Sequence, residues 1–144
     1  MFLTSVTSGG AFPMLEKVLA FTESRNKMLA ENIANITTPG YRAKQLDVGS
    51  FQSALLEASE KRSTRDGRFE LRSNEQFRTD ELGHLDVTPT HEPAENLLFH
   101  DGTNARIELE MSNLAENAMA NQTANELLKN YFDGVQKAIR GRIA

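Results

Sequence analysis

The chain has 144 residues, with 16 Lys plus Arg against 20 Asp plus Glu and a net charge of −4. That mild acidity lacks the basic footprint of a nucleic-acid-binding surface, and the absence of cysteine excludes a disulfide, a thiolate metal site and a thiol nucleophile. With no Trp and apolar residues gathered towards its two ends, this single domain's worth of chain is expected to be organised by its ends and not as a conventional globule.

In chain order, Met1 to Gly10 lacks the basic segment and apolar stretch of a cleavable signal. The apolar run Ala11 to Phe21 is broken by Glu16 and Lys17, so no membrane span is expected there. A helix is expected from about Pro13 to Ile36. Pro13 suits a first turn, where its missing N–H has no partner to lose, and Met14, Leu15, Val18, Leu19, Phe21, Met28, Leu29, Ile33 and Ile36 follow at three- and four-residue steps. Thr22 to Lys27 interrupts that stripe with polar residues. Thr37-Thr38-Pro39-Gly40 stops the helix, and Pro39-Gly40 fits a type II turn with Gly supplying positive φ.

Between Glu57 and Asn96 charged residues outnumber apolar ones two to one. Too little apolar surface is available there for an independent core, so the segment is expected either to be loosely ordered or to fold against neighbours. Phe51 to Leu56 reads as one further helical turn. Asp66-Gly67 reads as a hairpin turn leading into alternation through Phe69 and Leu71, and Val87 to Pro93 as extended linker.

The last third carries the strongest period. Alternate steps of four and three from Ile107 give Met111, Leu114, Ala118, Asn121, Asn125, Leu128, Phe132, Val135 and Ile139, a 3.5-residue repeat that predicts a left-handed coiled-coil seam. A continuous helix from about Ala105 to Arg140 would be roughly 54 Å long, too long for the first helix to cover. Asn121 and Asn125 are expected either to fix register or to lie where the seam is wet. Lys129, Lys137, Arg140 and Arg142 place positive charge near the helix C-terminus, where it complements the dipole.

Candidate chemistry is sparse. His84, His91 and His100 lie seven and nine residues apart in a Pro-broken stretch, unlike the closely spaced ligand pairs of a zinc site. No serine sits in a Gly-x-Ser-x-Gly elbow, Gly9-Gly10 lacks the spacing of a phosphate loop, and Glu108 and Glu110 point to different sides of a helix. Lys61, Arg62 and Arg65 have acidic neighbours and no interleaved aromatics. No enzymatic activity, cofactor or metal is expected.

Leu29-Ala30-Glu31-Asn32-Ile33-Ala34-Asn35-Ile36-Thr37-Thr38-Pro39-Gly40-Tyr41 closely resembles the N-terminal signature of the flagellar rod and hook axial protein superfamily. Glu110-Met111-Ser112-Asn113-Leu114-Ala115-Glu116-Asn117, followed by Gln122 and Leu127-Leu128, looks like the C-terminal helix of that superfamily, and Asp101-Gly102-Thr103-Asn104 like its lead-in. The short chain and compact Thr-Pro-Gly-Tyr motif resemble the B-type proximal rod subunits in particular. Arg106 and Asn121 depart from the pattern, standing where an acidic residue and an aromatic are usual.

The resemblance implies a mainly α fold. An N-terminal helix and a long C-terminal helix form a coiled-coil-like pair, with an irregular, short-β charged segment between them. The units implied are residues 1–41 (first helix and turn), 42–104 (middle) and 105–144 (second helix). It also implies a structural subunit of the basal-body rod that assembles into the drive-shaft tube, located in the periplasmic space and exported without signal cleavage. Its implied partners are other flagellar rod subunits, the protein joining the rod to the inner-membrane ring, and the flagellar type III export apparatus, with no nucleic acid. Leu29, Ile33, Met111, Leu114, Leu128, Phe132, Val135 and Ile139 are expected in helix packing, and Asn32, Asn35, Thr38, Pro39, Gly40 and Tyr41 in the turn leaving the first helix. A cytosolic coiled-coil adaptor or export chaperone is the competing reading, since the C-terminal seam suits either. A histidine-linked metal protein is a third.

Overall fold

The computed structural model describes residues 11–64, 69–92 and 103–141. They form α1 (Phe12–Ala34), β1 (Lys44–Gln45), α2 (Val48–Thr64), β2 (Phe77–Thr79), β3 (Leu85–Val87), β4 (Thr90–His91) and α3 (Thr103–Gly141). The protein is mainly helical, with a long C-terminal helix and a few short strands between the outer helices. At ~1.5 Å per residue, α1 is about 34 Å long and α3 about 58 Å. No helix among the described residues is long and apolar enough to cross a membrane.

Pro13 occupies the first turn of α1, and the helix runs without a break through Thr22 to Lys27. The polar residues there are not an interruption, because Thr22 is itself buried. α3 lies antiparallel to α1. Phe12 meets Phe132 with ring centroids 5.6 Å apart, Asn117 donates to the Thr22 carbonyl, and Asn32 lies beside the Glu110 carboxyl.

The middle of the chain differs from its sequence reading. Phe51 to Leu56 is not a single turn but part of the 17-residue α2. Asp47 caps α2: its Oδ1 accepts from the Ser50 N–H at 2.9 Å and its Oδ2 from the Ser50 hydroxyl at 2.7 Å. These bonds hold its carboxyl below the usual carboxylate range. Asp66-Gly67 lies outside the described residues, and no strand follows through Phe69 and Leu71. The hairpin forms instead between β2 and β3, paired Phe77↔Val87, Arg78↔Asp86 and Thr79↔Leu85. Its turn is closed by the Gly83 N–H on the Asp80 carbonyl, with Gly83 at φ 88°. The stretch read as linker pairs too, Lys44↔His91 and Gln45↔Thr90. Gln76 joins the two ribbons, accepting from the Asp47 N–H and donating to Gln45 O and Thr90 Oγ1.

The charge-rich middle therefore folds against α1 of the same chain. The core is Phe21, Met28 and Leu29 from α1, then Leu46, Phe51, Ala54, Leu55, Ala58, Leu71 and Phe77. Phe21 and Phe51 stack at 3.9 Å between centroids with planes 4° apart, and Phe77 stands edge-on to both. Lys17, 5% exposed, donates to the Gly83 carbonyl and so ties the hairpin turn to α1. The sequence hides this device, because Lys17 reads there as a break in an apolar run.

Phe51→Ala removes the ring that stacks on Phe21, and is expected to cost about 3–5 kcal/mol of unfolding free energy in urea denaturation.

Candidate functional site

The turn leaving α1 is organised by Asn32, which is 2% exposed. Its Nδ2 donates to the Lys44 carbonyl at 2.8 Å, and its Oδ1 accepts from the Lys44 N–H at 2.9 Å. The side-chain amide thus pairs with a backbone residue as another strand would. Its Oδ1 also accepts from the Tyr41 hydroxyl at 3.0 Å, whose pKa is raised by burial and secondarily by Glu31. Asn35 closes the helix end, its Nδ2 donating to the Glu31 carbonyl at 2.9 Å. Thr38 and Tyr41 bracket the Pro39-Gly40 turn, with the Tyr41 N–H on the Thr38 carbonyl at 3.1 Å and Gly40 at φ 76°. Lys44 reaches back to Glu31 at 2.7 Å. Asn32, Asn35, Thr38, Pro39, Gly40 and Tyr41 thus form one connected turn that brings β1 back alongside the end of α1.

α3 presents two faces. Ile107, Glu110, Leu114, Asn117, Asn121, Ala124, Leu128, Tyr131 and Val135 are buried or half-buried, at alternating steps of three and four. The seam expected from sequence takes the same first position but steps four before three. It therefore shares only every second residue with this line: Leu114, Asn121, Leu128 and Val135. Its other members, Met111, Ala118, Asn125, Phe132 and Ile139, are exposed. On α1, Leu29 is buried and Ile33 half-buried.

Much of the seam against α1 is polar. Asn117, 1% exposed, donates to the Thr22 carbonyl at 2.8 Å, and Asn121 donates to Thr22 Oγ1 at 2.7 Å. Asn125 donates back to Asn121 Oδ1 at 2.9 Å. The Glu110 pKa is raised, first by burial and also by the nearby Glu92, with the Asn32 hydrogen bond, Arg106 and Arg25 opposing. Arg106, the departure from the acidic pattern, pairs with Glu92. Sequence reasoning missed Glu110, Asn117 and Thr22 as seam residues. The seven-residue spacing of Glu110, Asn117, Ala124 and Tyr131 was the available signal, and it lies one position away from the stripe chosen on hydrophobicity.

Of the histidines, His84 Nδ1 lies 3.3 Å from Asp80 Oδ2, and His91 Nδ1 lies 3.2 Å from the Arg42 carbonyl. His100 lies outside the described residues, as do Arg65, Asp101-Gly102, Arg142 and Gly9-Gly10.

Asn32→Asp puts a carboxylate against the Lys44 carbonyl and beside Glu110. It is expected to lower stability by about 2–3 kcal/mol in chemical denaturation. For Glu110 the raised pKa means that the fold disfavours the ionised form. The penalty is absent below the ordinary glutamate range and grows as pH rises through the raised value. Glu110→Gln is therefore expected to raise Tm at neutral pH, with the gain vanishing in acid, as read from melting curves across pH.

No protein-family model matches the chain, and no solved structure matches it. Curated relatives do. The chain is 30% identical over 125 residues to the flagellar basal body rod protein FlgB of Cereibacter sphaeroides, an alignment covering 87% of this chain and 90% of the relative. Against FlgB of Bacillus subtilis identity is 27% over 138 residues, 92% of this chain and 95% of the relative. Against FlgB of Borrelia hermsii it is 31% over 123 residues, 81% and 85%. The alignments run through both outer helices and the segment between them, so the chain belongs to the FlgB family of flagellar basal body rod proteins.

Proposed function

We propose that this chain is a proximal rod subunit that packs its outer helices against those of neighbouring subunits to form the drive-shaft tube. The observation that carries the reading is the outer stripe of α3. Met111, Phe132 and Ile139 are 55%, 46% and 43% exposed, and their separations are multiples of seven, which puts them on one line along the helix. Leu109, Met119 and Leu127 are exposed as well. Apolar side chains in such number on one helix mark an interaction surface. The excess length of α3 over α1 supports the same reading.

The neighbours in this reading are other flagellar rod subunits and the protein that joins the rod to the inner-membrane ring. The chain reaches the periplasmic space through the flagellar type III export apparatus, without cleavage of a signal. Residues 1–41 and 105–144 supply the axial helices, and residues 42–104 brace them. Asn32 with the Pro39-Gly40 turn sets where the chain leaves the axial pair. Leu29, Ile33, Leu114, Leu128 and Val135 hold the pair together, while Met111 and Ile139 meet the next subunit and Phe132, packed edge-on against Phe12, flanks that surface. The role is structural and involves no catalysis.

Ile139→Glu and Met111→Glu alter only exposed positions and should change stability by no more than about 0.5 kcal/mol. Both variants are expected to keep the helical circular dichroism of the parent. In cells they are expected to abolish swimming and to be missing from purified hook–basal bodies by mass spectrometry. Normal swimming, with both variants present in the particle, would remove the outer stripe from the assembly surface.

A further inference from the structure

The line of α3 that meets α1 repeats every seven residues, and most of it would serve equally well one repeat along. Ile107, Leu114, Leu128 and Val135 are interchangeable in kind, so hydrophobic contact alone does not choose among positions of α3 seven residues apart. The level of Thr22 is different. Thr22 is 5% exposed and Asn117 1%. Asn117 Nδ2 donates to the Thr22 carbonyl, and Asn121 Nδ2 to Thr22 Oγ1. The Asn117 Oδ1 is buried with no hydrogen-bond partner among the described residues. An amide enclosed this far, with one of its two ends unmatched, adds little stability, but it discriminates strongly between alignments.

We infer that Asn117 and Asn121, closed on Thr22, fix the register of α3 on α1 to a single heptad and so set the height at which the outer stripe of α3 is presented. Sliding α3 by seven residues in one direction brings Glu110 and Leu114 to Thr22, burying a carboxyl where an amide donor stood. Sliding it in the other direction brings Ala124 and Leu128, and both hydrogen bonds are lost. Either shift displaces the stripe through Met111 and Phe132 by about 10.5 Å relative to the core. Two chains in different registers would not present the same surface. The consequence for assembly rests on the rod reading, whereas the register itself does not.

The absence of native cysteine allows register to be read directly by crosslinking. Phe12→Cys is combined either with Phe132→Cys, which reports the register seen here, or with Asn125→Cys, which reports α3 displaced by one heptad. A short bismaleimide is applied to the full chain at low concentration. In the otherwise native chain the Phe132→Cys pair is expected to close and the Asn125→Cys pair to stay open.

Glu110→Ala, Asn117→Ala and Asn121→Leu together make three successive heptads alike, with Ala at 110, 117 and 124 and Leu at 114, 121 and 128. In that background the Asn125→Cys pair is expected to close at least tenfold faster than in the native seam. Restoring Asn121 is expected to slow it again. A triple variant that closes only through Phe132→Cys would overturn the assignment. If the triple variant loses helical circular dichroism, Asn117→Ala with Asn121→Leu serves in its place and is read with Phe12→Cys plus Ile139→Cys, which reports the opposite shift, the one that brings Ala124 and Leu128 to Thr22. Closure at least tenfold faster than in the native seam supports the lock, and exclusive Phe132→Cys closure refutes it. All readouts are crosslinks within one chain, so they stand apart from the swimming and basal-body tests of the rod reading.

Discussion

The rest of the structure depends on α1 having two unlike faces. One side supplies Phe21, Met28 and Leu29 to an apolar core completed by α2 and the β2–β3 hairpin. Another presents Thr22 and Asn32 to α3. A helix with a single apolar stripe could hold only one of these neighbours firmly. By answering apolar surface with apolar surface, Leu114 of α3 included, and amides with amides, α1 holds both neighbours. The fold is therefore a small body with a long helix laid along it, and α1 is the wall they share.

Asn32 sits where these two contacts converge. Its amide satisfies both backbone groups of Lys44, anchors Tyr41, and touches Glu110 across the helix pair. The end of α1, the return of the chain into β1 and the first turns of α3 are thus fixed by one buried side chain. The Glu92–Arg106 pair reinforces the same corner from the residue after β4. Such a concentration of polar contacts explains why the Asn-Ile-Ala-Asn run and the Thr-Pro-Gly-Tyr turn occur together: the second places the backbone that the first must bind.

The outer helices were legible in the sequence because their stripes are long and periodic, and the Pro39-Gly40 signal because its backbone chemistry is local. The core was not. Phe51 and Phe77 are isolated aromatics in polar surroundings, and nothing near either shows that both close on Phe21. α2 was visible only as Phe51 to Leu56, since its last residues are mostly polar and its helical state is supported by the Asp47 cap and by packing on α1. The line of α3 that meets α1 differs from the line ranked highest by hydrophobicity for a physical reason. Ranking positions by hydrophobicity selects Met111 and Phe132, whereas the face against α1 uses Glu110 and Asn117, whose burial makes sense only once Asn32 and Thr22 stand opposite. Lys17 escaped for the same reason, because its acceptor, the Gly83 carbonyl, is 66 residues away.

The polar seam also has a thermal consequence. The heat capacity released on unfolding scales with the apolar surface exposed, and polar surface contributes with the opposite sign. Parting α3 from α1 uncovers Glu110, Asn117, Asn121 and Thr22 along with the aliphatic seam residues, so its heat-capacity increment is small for its length. Opening the body uncovers stacked phenyl rings, and its increment is large. The grip of α3 accordingly varies little between cold and warm conditions, while the body follows the strongly curved dependence of an apolar core and weakens first on cooling.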